Sequence, residues 1–483
     1  MKTTVRFRRL LLAAAILPGL SALAQNPEPD KPQITKITIS PTPIEKPALA
    51  CFLLPEPQDT QPGNAAIKYE MAADLYLSYR LNGNTDPKED ETLDKLNTLP
   101  LAELNLDAAR KILDPMRMPF NLLREGARRE SCNWELNLRQ EGFATLLPYL
   151  SPIRAQARRL QLAIRVDIKN HHWNLAHDKL QTGYAIARHL AHGQTLIETL
   201  VAAAIAGQMN ACLKDWISEP GSPNLFWPLA DLPQPIAPLN PGISFERALI
   251  YFDLPEWKNM MKGEGTPEQL AGFLQHFLRL ANATTAGFAD HEGDIFHNPQ
   301  LMATGLAIIE YPQAKEFLIQ RGAKPEEVEK RPVASVVGEF ISRDFRETSD
   351  EVFKWMFLPP NQAIPGLLDT EKDLAAIPSN SMPNILARTL LPALSRAIVN
   401  TARPDRQLAA LRIVEALRDY AAQHHALPDS LNQLALPLSN DPTLGKPFSY
   451  EHHADTAVLT SPAPPGGSVA RDELHYEITL QPQ

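Results

Sequence analysis

Apolar residues recur at steps of three and four along most of this chain, the period of an amphipathic helix. Ala65, Tyr69, Ala72, Tyr76 and Tyr79 share one face of a helix predicted from Asn64, a good N-cap, to Leu81. A further helix is predicted around Phe120–Arg129. Ser151-Pro152 marks the next start, because proline in a first turn gives up an N–H that has no helical partner anyway. That helix runs to about Lys169. Trp173, Ala176, Leu180, Gly183, Ala187 and Leu190 then form one stripe over Trp173–Ala191, with Ala176 and Gly183 small enough to admit a neighbouring helix. Thr195–Ile217 is apolar on most sides and predicts a central core helix. Helical periodicity returns at Phe245–Phe252, Pro267–Ala281, Pro299–Arg321, Val333–Met356 and Ile385–Val399. The proline-rich stretches Pro220–Pro241 and Pro359–Ser381 read as connection and loop.

Near the C-terminus the period changes. A helix from Pro404 to about His424 carries Leu408, Leu411, Ile413, Val414, Leu417 and Tyr420 on a broad apolar face. Asp441-Pro442 through Gly445-Lys446-Pro447 predicts a tight turn: Asp bonds its own backbone, Pro442 fixes φ, and Gly445 takes the left-handed conformation. Phe448–Tyr450 and Thr456–Thr460 read as short strands. Leu474, Tyr476, Ile478 and Leu480 alternate with polar residues, as in a half-buried strand. The predicted fold class is mainly α. An irregular multi-helix body spans 64–399, and a small α+β module, one helix on an antiparallel sheet, spans 404–483. Residues 25–63 are polar and proline-rich and read as an extended leader.

Residues 1–24 have the layout of a secretory signal peptide: Lys2, Arg6, Arg8 and Arg9, an apolar core over Leu10–Leu20, and Ala22-Leu23-Ala24 before Gln25. Export to the periplasm or the extracellular space is the expectation. Cleavage would remove four basic residues and no acidic one, leaving 43 Lys and Arg against 56 Asp and Glu, a net charge of −13. Such a balance argues against nucleic acid as a partner. The longest uncharged apolar run beyond the leader, Leu200–Gly207, is far too short to span a membrane, so no integral membrane segment is expected. Of Cys51, Cys132 and Cys212, the first two could pair in an oxidising compartment, while Cys212 reads as a buried thiol.

The hairpin built on Trp173, Ala176, Leu180 and Gly183 resembles a tetratricopeptide unit, over about one repeat. The ending resembles the globular head of the type II secretion pseudopilins, within the type IV pilin-like family. The matching residues are Ala416-Leu417-Arg418-Asp419-Tyr420, Leu427-Pro428-Asp429-Ser430-Leu431 and Asp441-Pro442…Gly445-Lys446-Pro447-Phe448-Ser449-Tyr450. The resemblance implies a helix-on-sheet fold, used here as a binding or capping module because the N-terminal end lacks the family's long apolar helix. The whole chain also resembles a group of exported bacterial helical proteins through Asn64-Ala65-Ala66-Ile67-Lys68-Tyr69, Gln181-Thr182-Gly183 and Asn224-Leu225-Phe226-Trp227. That resemblance brings no established activity.

Candidate chemistry is sparse. His189 and His192, three apart on one helix, could aim at a metal, or could serve the helix C-terminus through its last carbonyls. Asp290-His291-Glu292-Gly293-Asp294 with His297 is the densest set of possible ligands, so His291, Glu292, Asp294 and His297 are the candidate metal residues. No Gly-x-Ser-x-Gly, Cys-x-x-Cys or phosphate-cradling glycine loop is present, so no catalytic or cofactor-binding residue is assigned and no cofactor is expected. Trp134, Trp173, Trp227, Trp257 and Trp355 read as core or hinge anchors. The expected role is a non-enzymatic, exported interaction or scaffold protein with protein partners. The alternatives are an accessory of a secretion or pilus-like apparatus, and an enzyme or metal-dependent binding protein using the His291 loop.

Overall fold

A computed structural model describes residues 31–49, 51–81, 88–142, 145–284, 299–377, 381–391 and 394–481. Within them the chain is mainly helical, with one small four-stranded sheet.

Strand β1 (Ile34–Ile39) is followed by β2 (Gln61–Asn64), which runs straight into α1 (Ala65–Leu81). Asn64 caps that helix as expected, its side-chain oxygen accepting from the Ala66 N–H at 3.1 Å. Helices α2 (Glu89–Thr98), α3 (Leu106–Leu113) and α4 (Arg117–Ala127) lead to β3 (Arg129–Ser131), which pairs in parallel with β2. Then come α5 (Leu150–Lys169), α6 (Trp173–Ala191) and α7 (Leu196–Ser218). Gly183 is where α6 and α7 touch: a Cβ added there would meet Met209 Sδ at 2.1 Å. Thr195 and Glu198 form a complete capping box at the start of α7. Helix α7 alone among the described helices is long and apolar enough to cross a membrane, by length and composition, and 67% of its most apolar window is buried inside the fold.

The next layer contains α8 (Phe226–Asp231), α9 (Asn240–Asp253), α10 (Pro267–Thr284), α11 (Pro299–Gln320), α12 (Val333–Phe353), α13 (Pro360–Ala376) and α14 (Met382–Leu390). Helix α13 occupies the segment predicted as loop. Its prolines mislead: Pro360 stands at the first helical position, where proline is favoured, and Pro365 removes one early hydrogen bond. Packing outweighs that loss. Ala363, Ile364 and Leu367 are buried, Gly366 lies flat against Trp355, and the Trp355 indole N–H donates to Thr370 Oγ1 at 2.9 Å.

Helix α15 (Leu394–His424) passes through Pro404, which the sequence pattern reads as the start of a separate helix. A proline inside a helix costs about 3 kcal/mol. Here nearly every face of the helix is buried, and the Pro404 carbonyl accepts from Asn210 Nδ2 on α7 at 2.9 Å. The chain ends in β4 (Ser449–His453), β5 (Thr456–Ser461) and β6 (Leu474–Leu480). Their sheet has the order β1-β6-β5-β4, with β1 parallel to β6 and the other pairs antiparallel. The segment read as an extended leader therefore supplies the fourth strand. Ile37 and Ile39 fill the sheet's inner face beside Tyr476, Ile478, Ala457 and Leu459, in one core shared with α1, α5–α7 and α15. A second core gathers α10, α11, α12 and α14 around Trp257, and a third seats α13 against the first half of α15.

Candidate functional site

The histidines go to separate structural partners. His189 is buried, with Nε2 3.2 Å from the Arg129 carbonyl and Nδ1 2.8 Å from the Tyr69 hydroxyl. A carbonyl only accepts, so Nε2 carries the proton and Nδ1 accepts from Tyr69. Burial, reinforced by the neighbouring Arg188, pushes this imidazole down to about 4, so it is neutral with both nitrogens committed. His192 binds the Arg188 carbonyl at 2.7 Å, closing the helix end. The two are not a chelate. His177 binds the Phe52 carbonyl at 2.7 Å, and His171 stands edge-on to Trp173. Among the described residues no group of three or more His, Cys, Asp or Glu side chains is placed to hold a metal ion. His291, Glu292, Asp294 and His297 lie outside the described residues.

Around His189 sits a cluster with the residue types of a catalytic centre. Tyr149 donates to Glu198 Oε1 at 2.6 Å, and the Trp134 ring stacks on Tyr149 with centroids 3.8 Å apart and planes within 3°. Tyr69 stacks beyond it at 6.1 Å. Burial, with the Glu198 carboxylate next, pushes the nearby Cys132 thiol up to about 12. The Tyr149 phenol is raised for the same two reasons. Glu198 Oε2 accepts from the Thr195 backbone N–H at 2.9 Å and its hydroxyl at 3.0 Å, completing the α7 cap. At neutral pH this cluster holds no thiolate, no imidazolium and no spare base. It staples α1, α5, α6 and α7 together. Cys51 is a free thiol like Cys132, pushed up by burial to about 11 beside Glu45 and Glu415, away from the Cys132 site.

Two surface features do not serve the core. On α1 the inner face is buried as predicted, but Ile67, Met71, Leu75, Leu77 and Leu81 are exposed, Leu81 at 84%. Glu70 and Asp74 stand exposed among them and make no ion pair within the described residues. The second feature is a cleft of about 220 Å³ between α9 and α12. Arg247, Arg346 and Asp350 form its rim, and Trp257 and Phe345 lie beneath.

Helix α15 carries an acid of a different kind. Asp405 is buried and its Oδ1 accepts from the Ile236 N–H at 3.0 Å. Burial pushes this carboxyl up from 3.8 to about 7. Between those values the folded chain holds a proton that the unfolded chain has lost, so stability falls as pH rises across the window, by up to about 1.4 kcal/mol per pH unit. Asp405→Asn keeps the acceptor and removes the ionisation. The variant is therefore expected to gain Tm relative to wild type on going from pH 5 to pH 8. A constant difference in thermal melts at the two pH values would refute this assignment.

Compared with protein-family models, curated proteins and solved structures, the chain matches none.

Proposed function

We propose that the protein is an exported, non-enzymatic interaction protein that takes a protein partner on the outer face of α1. The observation that carries this reading is the exposure of Ile67, Met71, Leu75, Leu77 and Leu81 on a helix whose opposite face is anchored in the core. Burying one such side chain is worth about 1.5–3 kcal/mol. Five large apolar side chains exposed on one helix face and interrupted by charged residues make the kind of patch that marks an interaction site. Glu70 and Asp74, exposed within the same face, select a partner segment whose apolar residues are flanked by Lys or Arg. The buried cluster around His189 supports the non-enzymatic half of the reading, because its groups are held neutral or bound to the backbone. The terminal module's resemblance to pseudopilin heads adds a secretion or pilus-like apparatus as one source of such a partner.

Photo-crosslinking from position 71 of the full chain tests this in cells. A discrete adduct is expected from Met71 and not from Glu327, an exposed position outside α1, and Leu75→Glu should abolish it without lowering the melting temperature. Adducts of equal yield from both positions, or an adduct indifferent to Leu75→Glu, would overturn the proposal.

A further inference from the structure

The cleft between α9 and α12 shows the chemistry of an anion subsite attached to an apolar platform. Its rim holds two guanidiniums and one carboxylate. Arg247 Nη2 donates to Asp350 Oδ1 at 2.8 Å, and Arg346 Nε lies 3.7 Å from Asp350 Oδ2. A guanidinium has five N–H donors. Arg247 spends one of them on Asp350, and Arg346 makes no hydrogen bond among the described residues. The rim therefore keeps a net positive charge and most of its donors. Asp350 occupies the place that an incoming carboxylate would take between the two arginines.

Beneath the rim, Trp257 and Phe345 pack edge to face with centroids 5.5 Å apart, and both are buried, so the floor is apolar. The Arg247 guanidinium also stands 5.9 Å from the ring of Phe357, which is 50% exposed. Charge and apolar surface are thus adjacent, which suits a ligand with a charged head and a short hydrophobic body.

We infer that this cleft binds a carboxylate carried on an aromatic or alkyl group. A planar carboxylate matches the parallel N–H pairs of a guanidinium. The rim's net charge of one, two guanidiniums less Asp350, balances a carboxylate but not a phosphate dianion. A free small acid and a peptide C-terminus share the chemistry required.

Calorimetric titration of the full chain separates them. The probes are 3-phenylpropionate, its alcohol 3-phenylpropanol, and N-acetyl-Ala-Ala-Phe as free acid and as amide. At least one acid should bind in the millimolar range or tighter, and its neutral counterpart should bind about tenfold more weakly or not at all. Tighter binding of the peptide acid identifies a chain terminus as the source, and tighter binding of 3-phenylpropionate identifies a free acid. Arg247→Ala and Arg346→Ala should each weaken the bound acid severalfold. Asp350→Ala removes the internal competitor and should strengthen it by about threefold or more, a direction that damage to the fold would not produce. Absence of binding to wild type and to Asp350→Ala up to about 10 mM of either acid overturns the inference. So does binding that ignores both arginine substitutions.

Discussion

Replacing Arg418 with alanine is expected to destabilise the protein by about 3–5 kcal/mol, a large share of what holds a typical fold together. Arg418 is fully buried and all five of its donors are used. Nε donates to the Ser40 carbonyl at 3.2 Å. Nη1 donates to the Pro223 carbonyl at 3.1 Å and to the Glu415 carboxylate at 3.0 Å. Nη2 reaches Thr42 Oγ1 at 2.8 Å and the Ser222 carbonyl at 2.9 Å. One side chain thus ties the exit of β1, the turn after α7 and the C-terminal third of α15. Its loss would strand the Glu415 carboxylate, which is also fully buried and whose pKa burial already raises against the restraint of Arg418. Lysine offers a point charge with three donors, so Arg418→Lys should recover less than half of the loss. Arg418→Met combined with Glu415→Gln should be milder than Arg418→Ala alone, because no uncompensated charge remains. Urea unfolding followed by circular dichroism measures all three. A wild-type midpoint for Arg418→Ala would refute the role of this residue.

Arg418 also shows where sequence reasoning stopped. The helical period placed the buried faces of α1, α6 and α7, and the alternation from Leu474 to Leu480 placed β6. Both patterns are local, so a window of the chain contains them whole. Strand β1 is different. Its Ile37 and Ile39 alternate over six residues set among prolines, and its partner β6 lies at the opposite end of the chain, so the signal is brief and its reason is remote. On α15 the apolar face is legible, but Arg406, Arg412 and Arg418 are buried too, and Arg406 and Arg418 are each paired with an acid. The sequence pattern of a buried ion pair is that of an exposed one. The Thr195…Glu198 spacing is a legible capping box, whereas the attachment of Tyr149 to that glutamate is tertiary. At the cleft, Arg346 and Asp350 are an ordinary i,i+4 pair. Arg247 joins them only through the packing of α9 on α12.

The second large effect is expected at Asp441, and its form distinguishes a clasp from a simple turn. A turn alone would use the carboxylate locally, as Asp441 Oδ1 does in accepting from the Thr443 N–H at 2.7 Å and the Leu444 N–H at 3.2 Å, with Gly445 at φ +66° closing the loop. The other oxygen reaches out of the turn. Oδ2 accepts from Arg406 Nε at 2.8 Å and Ser461 Oγ at 2.7 Å, while Arg406 also donates to the Pro462 carbonyl at 2.8 Å and to that of Asp472. Burial works against the charge of Asp441, but Arg406, Thr443 and Ser461 outweigh it and hold the carboxyl below its ordinary value. The pair therefore stabilises the fold above the usual aspartate pKa, and that contribution is lost in acid as the pH falls through the lowered one. Asp441→Asn keeps the turn bonds but presents an amide N–H₂ or a weaker acceptor to Arg406, so it should cost nearly as much as Asp441→Ala, about 3–5 kcal/mol. Arg406→Met should cost a similar amount. Their double variant should be less damaging than the sum by about 2–3 kcal/mol, because removing both charges leaves neither stranded. Coupling within about 0.5 kcal/mol of zero would mean that the turn and α15 are held independently. Strong coupling would mean that the helix, the turn and the ends of β5 and β6 fold as one unit. In that unit one oxygen of Asp441 shapes the turn, and the other ties it to Arg406 of α15 and to Ser461 at the end of β5.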